Sequence, residues 1–360
     1  TIPYLMNASD SLLVTSDWEG SINVVKEAMA CNLPIVSVDV GDVRNVVGDT
    51  EGCFITSYDP NEIASSIEKV LSWNKRTNGR KNITVATATA GNHGRSVAWG
   101  AQKLGLNCKI FISEYVSESR ADAMREFGAN VVRVKGNYDN SLKECIAQSQ
   151  KNNWEIVQDT AWSGYELIPQ YIMAGYTIMM KEIFDQINND VISHVFLQAG
   201  VGGMAGAMIA GIAKFSNSIP KIIIVEPEDA DCVLKSIKNN EPTRIKVEKE
   251  SIMGGMSCGE VSKVAWNILK LSTNYCVTIP DTMVARVSSL LANKNFSKNK
   301  IEAGECATPG IIALKGICFN QELKNKIKLN KNSKVLVFGC EGATDEKMYN
   351  KLLKLGSNTK

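Results

Sequence analysis

Only two histidines, His93 and His194, occur in 360 residues, which excludes a His-rich metal centre and argues against a Ser-His-Asp triad. Ten cysteines are present, yet no C-x-x-C pair, so the usual spacing of a structural zinc site is missing. An excess of one charge is missing too. Forty Lys and Arg against 38 Asp and Glu leave a net charge of +2, too little to draw nucleic acid or an anionic membrane. The basic run from Lys324 to Lys331 reads as a solvated helix face. From Thr1 onward no basic-then-apolar secretion signal is seen, and with scattered cysteines this predicts a cytoplasmic protein with free thiols. The composition, 44% hydrophobic and 22% charged, excludes disorder and small disulfide scaffolds.

One uncharged stretch, Val191 to Ala213, is long enough to span a bilayer, but it contains five glycines. Its order is a β-rich run, a glycine cluster at Gly200, Gly202 and Gly203, then a small-residue helix from Met204. That predicts a buried strand feeding a ligand-binding helix N-terminus. Elsewhere β-like runs (Ser11 to Thr15, Pro34 to Val38, Cys53 to Thr56) alternate with helical ones (Ile22 to Cys31, Asn61 to Trp73), with Ser21 as N-cap and Asn32 as left-handed stop. A polar, basic stretch after Trp73 marks a boundary, giving segments 1–73, a junction 74–82 and 83–360. Beyond it lie runs at Ile83 to Thr89, Cys108 to Ile112, Asn130 to Val134, Glu155 to Gln158, Ile192 to Leu197, Lys221 to Val225 and Lys334 to Phe338, with a helix from Ser96 to Leu104 among the intervening ones. An α/β fold with mainly parallel sheets covered by helices follows.

In the first segment, Ser16 to Ala30 contains Glu19-Gly20 and Lys26-Glu27-Ala28-Met29-Ala30, with seven residues between the two glutamates, and Gly41-Asp42-Val43 follows. These strings resemble the end of a retaining GT-B glycosyltransferase. The resemblance implies that Glu19 faces a donor sugar and Glu27 a nucleotide ribose, since carboxylates accept paired bonds from sugar hydroxyls. Roughly residues 1–73 make a half-Rossmann segment, half of a doubly wound domain and too little to enclose a nucleotide sugar.

In the last segment, Thr89-Ala90-Gly91-Asn92-His93-Gly94 follows a strand and opens a helix, and Gln198-Ala199-Gly200-Val201-Gly202-Gly203-Met204 repeats that arrangement. Both present backbone N–H groups to an anion. Together with Val157 to Trp162, Gly164-Tyr165, Val225-Glu226-Pro227, Cys258-Gly259-Glu260, Gly304-Glu305 and Glu341-Gly342, these strings resemble a fold type II (tryptophan synthase beta-like) pyridoxal-phosphate enzyme of the diaminopropionate ammonia-lyase family. That family converts 2,3-diaminopropionate to pyruvate and ammonia. The resemblance implies Asn92 beside the cofactor's 3-oxygen, Thr89, Ala90, Gly91 and Asn92 on the substrate carboxylate, and Gly200, Val201, Gly202, Gly203 and Met204 around the phosphate. It implies Asp159 as the base at the α-proton; its residue-level alternative is a cap on the turn at Thr160. His93 supports the turn, and His194 starts a strand with no chemical role.

Departures from the family matter as much. Ala90 stands where relatives carry a second aspartate used for the opposite enantiomer. Gly339 and Cys340 replace hydroxyl residues, so the partner of the pyridine nitrogen is a thiol or is missing; Cys306 replaces a serine. The Schiff-base lysine is absent from its family context, because the preceding interval holds the glycosyltransferase-like segment, where Lys26, Lys69, Lys75 and Lys81 match no family string. Cys232 and Cys258 fall near the expected site, either as a redox pair or as packed thiols. The resulting expectation is an impaired carbon–nitrogen lyase taking a small amino acid, with no nucleic-acid or membrane partner and a homodimer by family analogy. A noncatalytic ligand-binding or interaction protein, or a remnant glycosyltransferase, is the alternative.

Overall fold

The computed structural model describes residues 5–6, 8–31, 33–76, 83–187 and 191–357, and contacts divide the chain into two units, Thr1–Ile83 and Thr84–Lys360. Among the described residues, every pairing between strands is parallel.

The smaller unit runs β1 (Leu12–Val14), α1 (Asn23–Ala30), β2 (Ile35–Val38), α2 (Val43–Val47), β3 (Cys53–Thr56), α3 (Pro60–Arg76). Its sheet has the order β1-β2-β3, and all four residues of the central strand are buried, which is why that run shows no polar alternation. On α1 the buried Val25 and Ala28 share one face, while Lys26 and Glu27 are exposed. Ser21 is not its N-cap: Ser21 Oγ donates to Asp42 Oδ2 (2.6 Å), and Asp42 Oδ1 accepts the N–H of Ile22 (3.2 Å). A carboxylate from the loop after β2 thus does the capping. Gly41, at φ +58°, makes that loop fit, because a Cβ there would lie 2.2 Å from the Gly20 carbonyl oxygen. Asn32 and residues 77–82 of the expected junction, Lys81 included, lie outside the described residues, as does the side chain of Lys75. Three strands laid down in sequence order have no point where the order reverses, and hence no crevice of the kind that holds nucleotides in open α/β sheets.

The larger unit has two four-stranded sheets. The first is built from β4 (Thr84–Ala88), α4 (Asn92–Leu104), β5 (Asn107–Ser113), α5 (Glu118–Arg125), β6 (Asn130–Val134), α6 (Tyr138–Asn152) and β7 (Glu155–Ile156), in the order β6-β5-β4-β7. After α7 (Leu167–Gln186) come β8 (His194–Gln198), α8 (Gly203–Phe215), β9 (Lys221–Pro227), α9 (Cys232–Asn239), α10 (Lys263–Ser272), β10 (Tyr275–Ile279), α11 (Thr282–Ala292), α12 (Pro309–Phe319), α13 (Gln321–Lys326), β11 (Val335–Val337) and α14 (Glu346–Ser357). The second sheet has the order β10-β9-β8-β11. Each sheet therefore grows in one direction and then returns to the far side of its first strand, which puts one reversal at β4/β7 and another at β8/β11.

Strands buried on both faces explain the continuous apolar runs of the sequence. Val195, Leu197, Ile222 and Ile224 pack towards α7 and α8, while the alternate residues Phe196, Ile223 and Val225 join a second core with α11 and α12. The uncharged stretch Val191 to Ala213 divides into β8 and α8, and among the described residues no helix is long and apolar enough to cross a membrane. The strand β10 was not legible as a run. α4 begins at Asn92, inside the expected turn rather than at Ser96, and the basic run leaves its helix at Lys326. Gly211 lets α8 lie directly on α7: an added Cβ would fall 2.6 Å from Met180 Cβ. Gly211→Ala is expected to lose about 1–3 kcal/mol in urea unfolding through overpacking. Gly100→Ala, mid-α4 with nothing within 4 Å of its new Cβ, is expected to gain about 0.5–1 kcal/mol.

Candidate active site

The loops following β4, β7, β8 and β11 meet around one cleft of about 390 Å³. Its wall includes Thr89 to His93, Asp159, Gln198, Gly200, Val201, Met204 and Cys340, so both reversals of strand order feed the same site.

At β4/β7 the organiser is Gln158, fully buried. Its Oε1 accepts from Thr87 Oγ1 and from the N–H of Ala88 (both 2.9 Å); its Nε2 lies 2.9 Å from the Ala88 carbonyl, 2.8 Å from Tyr138 Oη and 3.1 Å from Asp159 Oδ1. Tyr165 Oη accepts the N–H of Gln158 (2.9 Å) and donates to the Ile156 carbonyl (2.7 Å), and its ring stacks on Trp162 with centroids 4.3 Å apart. This network orients the half-buried carboxylate of Asp159, with Thr160 Oγ1 at 3.5 Å. Burial first, and then the charge of Asp159, raise the pKa of the Tyr138 and Tyr176 hydroxyls, the latter to about 12, so both keep their protons. On the facing turn, Thr89 Oγ1 accepts the N–H groups of Gly91 (3.0 Å) and Gly94 (3.2 Å), while those of Asn92 and His93 have no acceptor among the described residues. His93 Nε2 sits 2.8 Å from the Val157 carbonyl and supports the turn. His194 has both ring nitrogens engaged, with Ser193 Oγ (2.8 Å) and the Ile327 carbonyl (2.9 Å).

At β8/β11 the backbone does the work. A Cβ on Gly200 would meet the Gly255 carbonyl at 2.8 Å and Cys258 Sγ at 3.0 Å, and Gly202 takes φ +86° to turn the chain into α8. The N–H groups of Gly202, Gly203, Met204 and Ala205 have no acceptor among the described residues. Four donors at the positive end of a 13-residue helix suit a phosphate. Gly202 and Gly203 do not themselves form the wall: a Cβ on Gly202 would point at Leu269 and Ala265, so their contribution is limited to N–H groups. Cys232 and Cys258 are free thiols that both reach Gly200.

Three groups tie the two ends together: Arg120, which sequence reasoning overlooked, and the motif residues Glu305 and Glu341, to which it gave no role. Arg120, from α5, donates through Nη1 to the Ala90 carbonyl (3.2 Å) and through Nη2 to Glu341 Oε1 (3.1 Å) and to Glu305. Glu341 Oε2 accepts the N–H of Cys306 (2.7 Å), and its Oε1 lies 3.4 Å from Asn92 Nδ2, so Asn92 faces a carboxylate. Burial raises the pKa of Glu305, and the charge of Arg120 opposes that rise.

The donor set fits pyridoxal phosphate: the free N–H groups of Gly202 to Ala205 suit its phosphate, and Asn92 stands on the wall across from them. The wall holds no lysine among the described residues, so a covalent link to the cofactor has no candidate there. The family described as pyridoxal-phosphate dependent enzyme matches residues 64–341. The chain belongs to the pyridoxal-phosphate dependent enzymes.

Within that family, diaminopropionate ammonia-lyase of Escherichia coli (strain K12) is 36% identical over 284 residues, covering 77% of this chain and 71% of that protein; the Salmonella typhimurium protein is 34% identical over 281 residues, covering 75% and 69%. A crystal structure of the Escherichia coli lyase in complex with an aminoacrylate-PLP azomethine reaction intermediate superposes with TM-score 0.70 at 36% identity, over 75% of this chain and 71% of that one. Threonine deaminase isoform 2 from Solanum lycopersicum, at 18% identity and TM-score 0.63 over 78% and 75% of the two chains, shares the type II fold. Residues 1–72 match glycosyl transferases group 1, and there Glu19 and Glu27 are both exposed.

Arg120→Met leaves Glu305 and Glu341 buried without their cation and is expected to cost about 3–5 kcal/mol. With the guanidinium gone, the folded-state pKa of Glu305 climbs further above its unfolded value. The variant's native state then binds a proton that the unfolded chain releases, so urea titration should find its deficit shrinking as pH falls from about 7 to about 5.

Proposed function

We propose that residues 84–360 bind pyridoxal phosphate together with a small amino acid and act as a carbon–nitrogen lyase on L-2,3-diaminopropionate. The observation that carries this is the meeting, at two strand-order reversals, of an N–H cradle, a carboxylate-binding turn and the carboxylate of Asp159. Gly200 to Met204 hold the phosphate by N–H donors, Asn92 lies by the ring oxygen, and Cys340 flanks the ring. Thr89 to Asn92 receive the substrate carboxylate, with the N–H groups of Asn92 and His93 as donors. When bound, the cofactor supplies an acceptor for the electron pair released at the substrate Cα. Asp159, oriented by Gln158, takes the α-proton. The protonated hydroxyls of Tyr138 and Tyr176 help exclude water on that side. Ala90 offers no second base, which restricts the reaction to one enantiomer.

Impaired turnover is supported by a wall without lysine among the described residues, which offers no internal amine to displace product. The same observation favours a second reading, a noncatalytic binder of cofactor and amino acid. A cytoplasmic location rests on ten free thiols, and a homodimer on family analogy.

Borohydride reduction of cofactor-loaded protein is expected to label no single lysine, and L-2,3-diaminopropionate to give at most one pyruvate per site. Asp159→Asn should slow that release by about 10²-fold or more. One stoichiometrically labelled lysine with steady turnover would refute the impaired reading; pyruvate release unchanged in Asp159→Asn would refute the base. For the smaller unit, calorimetry with nucleotide sugars is expected to show no saturable binding, and Glu27-dependent binding would reverse that.

A further inference from the structure

Glu250 lies between α9 and α10 and borders two cavities. It stands on the wall of the cleft already described and, with Tyr138 and Ser257, on that of a second cavity of about 430 Å³. Glu250 is exposed, whereas Glu305 and Glu341 are buried around Arg120. The cations closest to it in sequence are engaged elsewhere: Arg244 with Asp139 at 2.8 Å, Lys246 with Glu248 at 3.4 Å and Lys249 with Asp229 at 3.9 Å. Among the described residues Glu250 itself has no ion-pair partner. What it has is a hydroxyl. Ser257 Oγ accepts the N–H of Ser251 (2.8 Å), which leaves the hydroxyl proton for the Glu250 carboxylate, whose charge it stabilises.

Of the acidic residues on the cleft wall, the others already have work. Glu305 and Glu341 share Arg120. Asp345 accepts the N–H of Met348 (3.0 Å) and lies within the field of Arg120. Asp159 is the base, held by Gln158 Nε2 at 3.1 Å. Glu250 is left to meet a cationic group of a ligand, and it lies on the side of the base. The Cys258 thiol, pushed up to about 12 by burial first, also feels the charges of Asp159, Asp139 and Glu250, so Asp159 and Glu250 are both within electrostatic reach of one side chain.

We propose that Glu250 receives the β-ammonium of the substrate and so makes the cleft selective for a diamino acid. The inference rests on the cofactor and substrate reading above. A substrate whose α-proton faces Asp159 carries its β-amine only one carbon further on. Two amines on adjacent carbons weaken each other's hold on protons, and a neighbouring carboxylate restores it. That charge serves the reaction. Asp159 takes the α-proton, the pair left at Cα becomes the second bond to Cβ, and the Cβ–N pair departs with nitrogen. An ammonium leaves in this way as neutral ammonia and needs no further proton, whereas an uncharged amine would have to leave as an amide ion. A single carboxylate base then suffices for the step, because Glu250 has already secured the proton of the leaving group.

The probes are two reduced, hydrolysis-proof adducts of pyridoxal phosphate: one with L-2,3-diaminopropionate, joined through its α-amine, and one with L-alanine, which lacks only the β-amine. Binding of each to the full chain is measured by calorimetry. The diaminopropionate adduct is expected to bind about tenfold tighter or more, the worth of one charge-assisted hydrogen bond. Glu250→Gln should erase that preference and leave the alanine adduct within about twofold of its wild-type affinity. Glu250→Lys, which puts a cation at the same exposed position, should reverse the preference. Equal binding of the two adducts to the wild-type chain overturns the proposal. A preference that survives both substitutions overturns it too, and its loss in Asp159→Asn would then assign the β-amine to the base. Either result leaves the cofactor reading standing, since the adducts bind. If neither adduct binds the wild-type chain, the cofactor reading fails and the proposal with it.

Discussion

Arg120 reaches from α5, beside the first sheet of the larger unit, to Glu305 and Glu341, which belong to the second. One guanidinium between two buried carboxylates is a demanding arrangement. Each carboxylate is costly to bury alone, and a planar fork of donors can serve both at once. Its third contact, the Ala90 carbonyl, places the N-terminus of α4 in the same network. The spacing across the cleft is thus held by a charge cluster whose members come from three segments far apart in sequence: a helix, a 3-10 turn and a loop.

That cluster also sets the chemistry the cleft tolerates. Its wall carries Asp159, Glu250, Glu305, Glu341 and Asp345 against Arg120 as its one Lys or Arg among the described residues, so a phosphate finds no free cation there. The free N–H groups opening α8 supply the opposing potential without adding a titratable group. The same excess of carboxylates favours an amine over a further anion elsewhere in the cleft.

The smaller unit shares the parallel α/β construction but not the reversal of strand order, and it matches a different family. Its buried β2 and the Asp42 cap on α1 give it a local core of its own. The motif glutamates Glu19 and Glu27 are exposed on it. Two ancestries in one chain need not interfere when each unit closes its own sheet.

The fold class, most of the strands and both glycine-rich turns were legible from the sequence, because strands buried on both faces leave continuous apolar runs and anion-binding turns need glycine at fixed places. β10 escaped because its five residues, Tyr275 to Ile279, form a half-buried edge run with Cys276 and Thr278 among the apolar residues, so no continuous apolar stretch stands out although Ser272 to Asn274 and Pro280-Asp281 frame it. Ser21 looked like a cap until Asp42, 20 residues from Ile22, supplied a stronger acceptor. Gln158, Arg120 and Gln198 had no local signature at all. Their partners lie 70, 221 and 108 residues away, and a hydrogen bond across such a separation is specified only once strand order brings its ends together. Composition and motif thus determined that the larger unit is a parallel α/β protein with two glycine-rich turns, each following a strand. Only the tertiary structure decided that those turns share one cleft, that Asn92 faces Glu341, and that the wall presents no lysine among the described residues, because which loops meet depends on strand order and not on spacing along the chain.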